Sequence, residues 1–541
     1  MKAFKYIMAG AAIAVAAVSG VTLTSCSDLD EHPYSFIDPS AYYKTESDVQ
    51  TALTGTYNRF RRIYTANNQF YVATLELLTE QGWPTYNKND MELINKWSNA
   101  NNASSTISNN MNYAWTSAYE TVNRANIVIA RADEVTYSDA STKDYIKGQA
   151  YFLRGYAMFH LLRIYGGVPY PTTYTNGVSG LEVPRLSLDE TYAQVIADLE
   201  QAESMLPQRG TSGYDTWRVA KGAAQAALGE VYLYRATMNN NNTEDLTKSR
   251  DWSKKVIDSG VYSLNSNFTD QFYWFKEDAS KNTAESLFEL QFAPESGQDN
   301  GMHIRFGVGR TNAGYFGCYQ YARMGVSAFL YKEMVDNGDK RAEAILSYFE
   351  GLCGDDVKDQ ISQPTTYNVN TFCWEPKAWN DRSVEHNAVF NCKYFDRKHD
   401  NTLQHPCANF PIIRYSEVLL NYAEAANLLQ AGSGVAQLNQ VRNRAGLANT
   451  SASSQADIDE DIFQQRRYEF VGEAKIFWDE LRKDRLAEYA TAKCKEGTAK
   501  GMSYFDGEIL FKAKKTFLFK IAQSTIDSNS MLEQNPDNES K

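Results

Sequence analysis

Apolar residues recur at helical spacing along most of the chain. The clearest stripe is Ile146, Ala150, Leu153, Ala157, Leu161 and Ile164, in steps of three and four, which is one face of an α-helix. Gly166-Gly167-Val168-Pro169 stops it. Ser47-Asp48-Val49-Gln50 reads as a capping box, followed by an apolar pattern to Ile63. Tyr113 to Val135 predicts a second helix. Ser187-Leu188-Asp189-Glu190 is another capping box, opening a helix through Val195, Leu199 and Ala202 to Leu206, where Pro207 ends it. Val219 to Thr237 is Ala-rich and suited to close helix packing. Trp252 to Ser259 follows and ends at Gly260. Further helices are expected at Ala328 to Asp336, Glu417 to Gln430, Val435 to Arg444 and Asp459 to Leu486.

A faint repeat runs through the helical part. Lys147-Gly148-Gln149-Ala150 returns as Lys221-Gly222-Ala223-Ala224, 74 residues on. Paired helices recurring in this way predict a mostly α fold of tetratricopeptide-like pairs. The scaffold is expected at about 40–64, 111–260 and 414–487. Two stretches break the pattern: 65–110, polar and aromatic, and 265–412, which holds most of the Gly, Pro, Cys and Trp. Both read as loop-rich insertions with short strands, such as Ser286 to Phe292. Thr516 to Ile521 is also strand-like.

Composition narrows the partners. Of 541 residues, 43% are hydrophobic and 22% charged, so the chain can build a large core. The net charge of -12 argues against nucleic acid, whose phosphates call for a basic face. Nine Trp, 35 Tyr and 26 Phe make the chain rich in rings, with tyrosine leading.

The N-terminus has its own logic. Lys2 and Lys5 precede the apolar run Ile7 to Val18, which ends at Leu23-Thr24-Ser25-Cys26. This is the layout of a secretory signal over 1–25. The Leu, Ser and Cys positions resemble the bacterial lipobox, which implies cleavage before Cys26 and its lipidation. The acidic run Ser27-Asp28-Leu29-Asp30-Glu31 resembles the surface-export signal of Bacteroidetes lipoproteins. One domain is expected over 26–541. The six other Cys (318, 353, 373, 392, 407 and 494) show no CxxC or Cys/His spacing, so no zinc site is expected. Asp355-Asp356 reads as a solvated acidic turn, with calcium the weaker reading. Nucleophile elbows, phosphate loops, HExxH and dinucleotide fingerprints are absent, and no enzyme or cofactor is expected.

Several longer runs carry a family resemblance. Ala150-Tyr151-Phe152-Leu153-Arg154-Gly155-Tyr156, continuing to Arg163-Ile164-Tyr165-Gly166-Gly167-Val168-Pro169, resembles the SusD/RagB family of outer-membrane nutrient-binding lipoproteins. Pro184-Arg185-Leu186-Ser187, Asp198-Leu199-Glu200-Gln201-Ala202 and Arg414-Tyr415-Ser416-Glu417 through Ala425 resemble it too, as do Leu438 to Leu447, Arg466 to Phe470, Leu481 to Asp484 and Glu533 to Pro536. The chain departs from the family at Gly472 to Ile476, where a basic-aromatic step is common, and before Gln523, where a proline is common. The resemblance implies a helical scaffold without catalysis. It also implies an oligosaccharide ligand, a lipid anchor in the outer membrane and a SusC-like TonB-dependent transporter as partner. It carries no fixed ligand motif.

Ligand residues must therefore come from the chemistry of sugar capture, which needs ring faces beside amide, carboxylate and guanidinium groups on loops. In the first insertion these are Trp83, Tyr86 and Trp97 with Asn87 and Asp90. In the second they are Tyr273 and Trp274, then Tyr315 and Tyr319 with Arg310 and Asn312, then Trp374. Trp115, Trp252 and Trp478 lie in helical patterns and are expected in the core. A peptide-binding relative on the same scaffold and a surface glycosidase stand as alternatives; the latter needs two carboxylates about 5–9.5 Å apart.

Overall fold

The computed structural model describes residues 42–84, 94, 97, 100–175, 182–295, 324–345, 367–368, 373–374, 388–389, 391, 393–394, 406–499 and 515–538. Of the unit Met1–Lys44 these include Tyr42 to Lys44, where the Tyr42 and Tyr43 rings meet edge to face at 4.6 Å. Every element below belongs to the unit Thr45–Lys541. Cys26 and the predicted signal lie outside the described residues.

The fold is mostly helical. Helix α1 (Glu46–Leu77) starts from Thr45, two residues before the expected cap. The Thr45 hydroxyl accepts from the Asp48 N–H, and the Asp48 carboxylate accepts from the Thr45 N–H at 2.8 Å. The helix runs fourteen residues past Ile63, taking up a third of what read as insertion. The reason lies in Tyr71, Val72, Leu75 and Leu77, all buried on the core side, so tertiary packing extends the helix beyond its clean pattern. Helices α2 (Thr106–Ala132), α3 (Ala140–Tyr165), α4 (Leu188–Met205), α5 (Lys221–Met238) and α6 (Thr243–Asp258) follow. Ser187 and Glu190 form the expected capping box of α4. Each helix packs on its neighbour in sequence, and α6 packs on α8 (Tyr415–Leu429), which pairs with α9 (Val435–Arg444). Between them lies α7 (Ala328–Asp336). The helix expected over Asp459 to Leu486 is two, α10 (Gln455–Glu469) and α11 (Ile476–Arg482), and α12 (Leu486–Ala499) begins where it was expected to end. Gly472 and Ala474 take left-handed φ of 75° and 57° and break it. Thr516 to Ile521 forms no ladder; Phe517, Phe519 and Ile521 are buried in an extended segment.

The 74-residue repeat has a structural cause. A Cβ on Gly155 of α3 would stand 2.9 Å from Asp198 Cβ of α4. A Cβ on Gly229 of α5, 74 residues later, would stand 2.7 Å from Ser253 Oγ of α6. In both pairs glycine lets the first helix lie against the second.

The strands are short. β2 (Ser286–Leu290) pairs antiparallel with β7 (Phe410–Arg414), confirming the expected strand. β1 (Gly82–Pro84), β3 (Met324–Ser327) and β6 (Ala388–Val389) make a three-stranded sheet in the order β1-β3-β6. β4 (Tyr367–Asn368) pairs with β5 (Cys373–Trp374).

Buried charge ties the helices together. Arg154 grips Asp198 with two bonds of 2.7 and 2.5 Å and Asn126 with a third of 2.6 Å. Tyr170 donates to the same Asp198 carboxylate at 2.7 Å. Arg414, at the end of β7, meets Glu285, Glu469 and Glu473 at 2.8–3.0 Å. Arg482 meets Glu424, and Arg466 meets Asp479 at 2.8 Å. Glu417 takes Lys475 at 2.7 Å. Such pairs add little net stability against an apolar isostere, but removing one member strands the other, at about 3–5 kcal/mol.

Candidate functional site

The insertions converge on the small sheet. Gly82 faces Val326, Trp83 faces Gly325 and Pro84 faces Met324. The chain therefore leaves β1 towards Tyr86, Asn87 and Asp90 at the same end where it enters β3 from Arg310, Asn312, Tyr315 and Tyr319. β6 runs antiparallel to β3, with Val326 facing Val389 and Ser327 facing Ala388. Its exit to Asn391 lies at that end too, while the segment from Trp374 enters at the other. Three chain segments of the predicted ligand region are thus rooted side by side. Tyr86, Asn87, Asp90, Arg310, Asn312, Tyr315 and Tyr319 themselves lie outside the described residues, as do Asp355 and Asp356.

The sheet is fixed to the helices. The Ser327 N–H donates to the Gln81 carbonyl at 2.7 Å, and the Gln81 side-chain amide donates to the Arg467 carbonyl at 2.6 Å. Glycine at 82 is required by space, since a Cβ there would lie 2.4 Å from the Glu76 carbonyl group. The chain turns back onto the end of α1 at van der Waals range.

This close return corrects two candidates. Trp83 is 0% exposed, with Phe329 at 5.5 Å between ring centroids. Trp97 is 1% exposed, stacked on Phe477 at 6.1 Å and edge-on to Phe517 at 5.3 Å. Neither ring offers a face to a sugar; both nail the insertion to the core. The signal was present in the apolar run Tyr71 to Leu78 just upstream, which needs covering, whereas Gly82 and Pro84 suggested an exposed turn. Tyr273 is also buried, its hydroxyl accepting from the Cys407 thiol at 3.2 Å, so it too is a packing residue. Trp274 follows it in the same turn of helix, Tyr273–Lys276, and Trp374 lies in β5 opposite Tyr367. Trp115 and Trp478 are buried as expected; Trp252 is half-buried, with the Lys255 ammonium 3.5 Å from its ring centre. Cys407 and Cys494 are both buried.

A polar cavity inside the helical stack is the other place where charge gathers. It is lined by Arg163, Glu230, Glu417, Arg466, Lys475 and Trp478, and it has room for water only. Arg163 donates to Glu230 at 2.8 Å and to His160 Nδ1 at 3.0 Å. Nδ1 is thus the acceptor, and Nε2 carries the proton that faces the Tyr64 oxygen at 2.7 Å. Burial, with the Arg163 charge beside it, holds His160 well below its ordinary pKa and neutral. Its cations and carboxylates pair off, Arg163 with Glu230, Lys475 with Glu417 and Arg466 with Asp479, so this is a structural network. Among the described residues no group of three or more His, Cys, Asp or Glu side chains is placed to hold a metal ion.

A family model described as "Starch-binding associating with outer membrane" matches residues 29–233, and the SusD family model matches 284–537. The chain is 25% identical over 480 residues to SusD-like protein P2 of Formosa agariphila, covering 85% of this chain and 88% of that one. It is 24% identical over 483 residues to a SusD-like protein of Bacteroides ovatus, covering 86% and 81%. Among solved structures it shares the fold of a SusD homolog from Bacteroides thetaiotaomicron, with a TM-score of 0.71, 20% identity, and 92% and 97% of the two chains covered. It also shares the fold of surface glycan-binding protein A from the same organism in complex with laminarihexaose, with a TM-score of 0.67, 21% identity, and 91% and 100% covered. The two family models together span most of residues 29–537, and the SusD-like relatives align over 85% or more of the chain: the chain belongs to the SusD/RagB family.

Proposed function

We propose that this protein binds an oligosaccharide non-covalently at the outer membrane and delivers it to a SusC-like TonB-dependent transporter. The observation that carries the reading is the match of residues 29–233 to the starch-binding, outer-membrane-associating family model. The glycan-binding relative with bound laminarihexaose supports the ligand class. Lipidated Cys26 is the anchor, and the exterior face is the working side.

The ligand sits on the loops rooted at the β1-β3-β6 sheet. Tyr86, Tyr315, Tyr319 and Trp374 supply ring faces for sugar C–H groups, and Asn87, Asp90, Arg310 and Asn312 take the hydroxyls. Trp83, Trp97 and Tyr273 hold these loops from below. Capture breaks no bond in the ligand, and no cofactor takes part.

The test is native electrophoresis through gels containing single polysaccharides, laminarin and starch included. One of them slows the protein, and Tyr86→Ala or Tyr315→Ala abolishes the slowing without changing the melting temperature. A folded protein that no polysaccharide slows, and that binds peptides instead, contradicts the reading.

A further inference from the structure

Helix α1 ends beneath the insertion root on a single buried cation. The Lys493 ammonium, on α12, donates to the carbonyls of Leu77 at 2.6 Å, Thr79 at 2.5 Å and Gly82 at 3.2 Å. Leu77 is the last residue of α1, Thr79 lies in the turn and Gly82 opens β1. The side chain is 2% exposed. An ammonium has three N–H donors for these three acceptors. A neutral amine has two donors and a lone pair, and a lone pair aimed at a carbonyl oxygen repels it.

We propose that Lys493 is a proton-operated clamp that positions the root of the first insertion, its charged form holding β1 to the end of α1 and its neutral form releasing the Gly82 carbonyl. Gly82 yields first because its bond is the longest of the three. The clamp acts through the loop that follows Pro84, so Lys493 is a positioning residue for the ligand site; this part rests on the glycan reading above.

The surroundings set the clamp near neutral pH. Burial pulls the Lys493 pKa down to about 8, against the opposing influence of Cys494, Glu480, Glu80 and Glu76. Glu80 is itself held by Arg467, and Glu76 accepts from the Ala474 N–H at 2.7 Å. Glu480 on α11 is fully buried, and neither of its carboxyl oxygens has a hydrogen-bond partner among the described residues. Burial raises its pKa well above the ordinary range, with Glu80 adding to the effect and Arg467 and Lys493 opposing it. An ionised Glu480 favours the Lys493 charge, so the two groups are electrostatically linked.

Hydrogen exchange of residues 78–84 in the purified protein, corrected for the intrinsic rate, tests this between pH 6.5 and 9.5. Protection is expected to fall about tenfold, the worth of one hydrogen bond, with a midpoint near pH 8. Lys493→Met should show low protection at every pH. Glu480→Gln, which removes only an unpartnered carboxyl, should stay folded and shift the midpoint downward. A flat wild-type profile, or a Lys493→Met profile that matches wild type, overturns the clamp. Affinity for the polysaccharide found by electrophoresis should fall with the same midpoint. Unchanged affinity alongside falling protection overturns the positioning role. If no polysaccharide binds, the glycan reading fails, and the clamp is decided by the exchange profile alone.

Discussion

Buried charge is treated differently in the helical stack and at the insertion root. In the stack it is matched: Arg154 meets Asp198 with two bonds, and Arg482 meets Glu424 and Asp479. At the root Arg467 holds Glu80, but two other buried groups have no opposite charge bonded to them. Among the described residues neither carboxyl oxygen of Glu480 has a hydrogen-bond partner, and Lys493 is bonded to backbone carbonyls. Matched pairs fix one geometry. At the root, burial pulls the Lys493 pKa down to about 8 and pushes the Glu480 carboxyl up. The stack is built to be rigid, and the proposed clamp gives the insertion root a group that can respond.

The largest expected effect breaks the matched side. Arg154→Ala strands the Asp198 carboxylate and should cost about 3–5 kcal/mol in chemical denaturation, while the apolar pair Arg154→Met with Asp198→Leu recovers most of it. Trp83→Ala should cost a similar amount, about 3–5 kcal/mol, because the ring is wholly buried. Loss of ligand binding in that variant would therefore report unfolding of the root.

Glu480→Gln sharpens the contrast. The folded pKa of Glu480 lies above the unfolded one, so its stabilising contribution is full below the ordinary carboxylate pKa and disappears as pH rises through the folded value. The substitution should stabilise the protein by about 1–3 kcal/mol at pH 8 and have little effect at pH 4. Glu76 and Glu289, both raised by burial to about 7, act in the same sense. Glu424 runs oppositely: burial would raise it, but Arg482 and Lys483 hold it low, and its contribution is lost as pH falls below the ordinary range. Thermal melts against pH should thus peak near about pH 5. Ser187→Ala, which removes the cap of α4, should cost about 1 kcal/mol. Tyr86→Ala should change stability by less than about 0.5 kcal/mol.

These differences also explain what could be read from the sequence. The stripe from Ile146 to Ile164 and the box Ser187 to Glu190 located α3 and α4, because local periodicity and capping are written in neighbouring residues. The motifs that carried the family resemblance, such as Arg154 with Asp198, are the matched pairs of the stack. The start of α6 nine residues before Trp252 was missed, because Asn242 caps a polar first turn that shows no stripe. Trp83 and Trp97 were misread because burial of a ring in a turn depends on partners 246 and 380 residues away, Phe329 and Phe477. Lys493 was invisible for the same reason, since its acceptors are backbone carbonyls more than four hundred residues upstream.

In the proposed function, ligand is held by loops rooted on the β1-β3-β6 sheet and not by the helical stack. Hydrogen-exchange footprinting with the bound polysaccharide tests it most directly. Ligand-induced protection is expected in residues 85–93 and 301–323, with none in α2 to α6. Protection confined to the helix faces of the stack, with both loops unchanged, would contradict it.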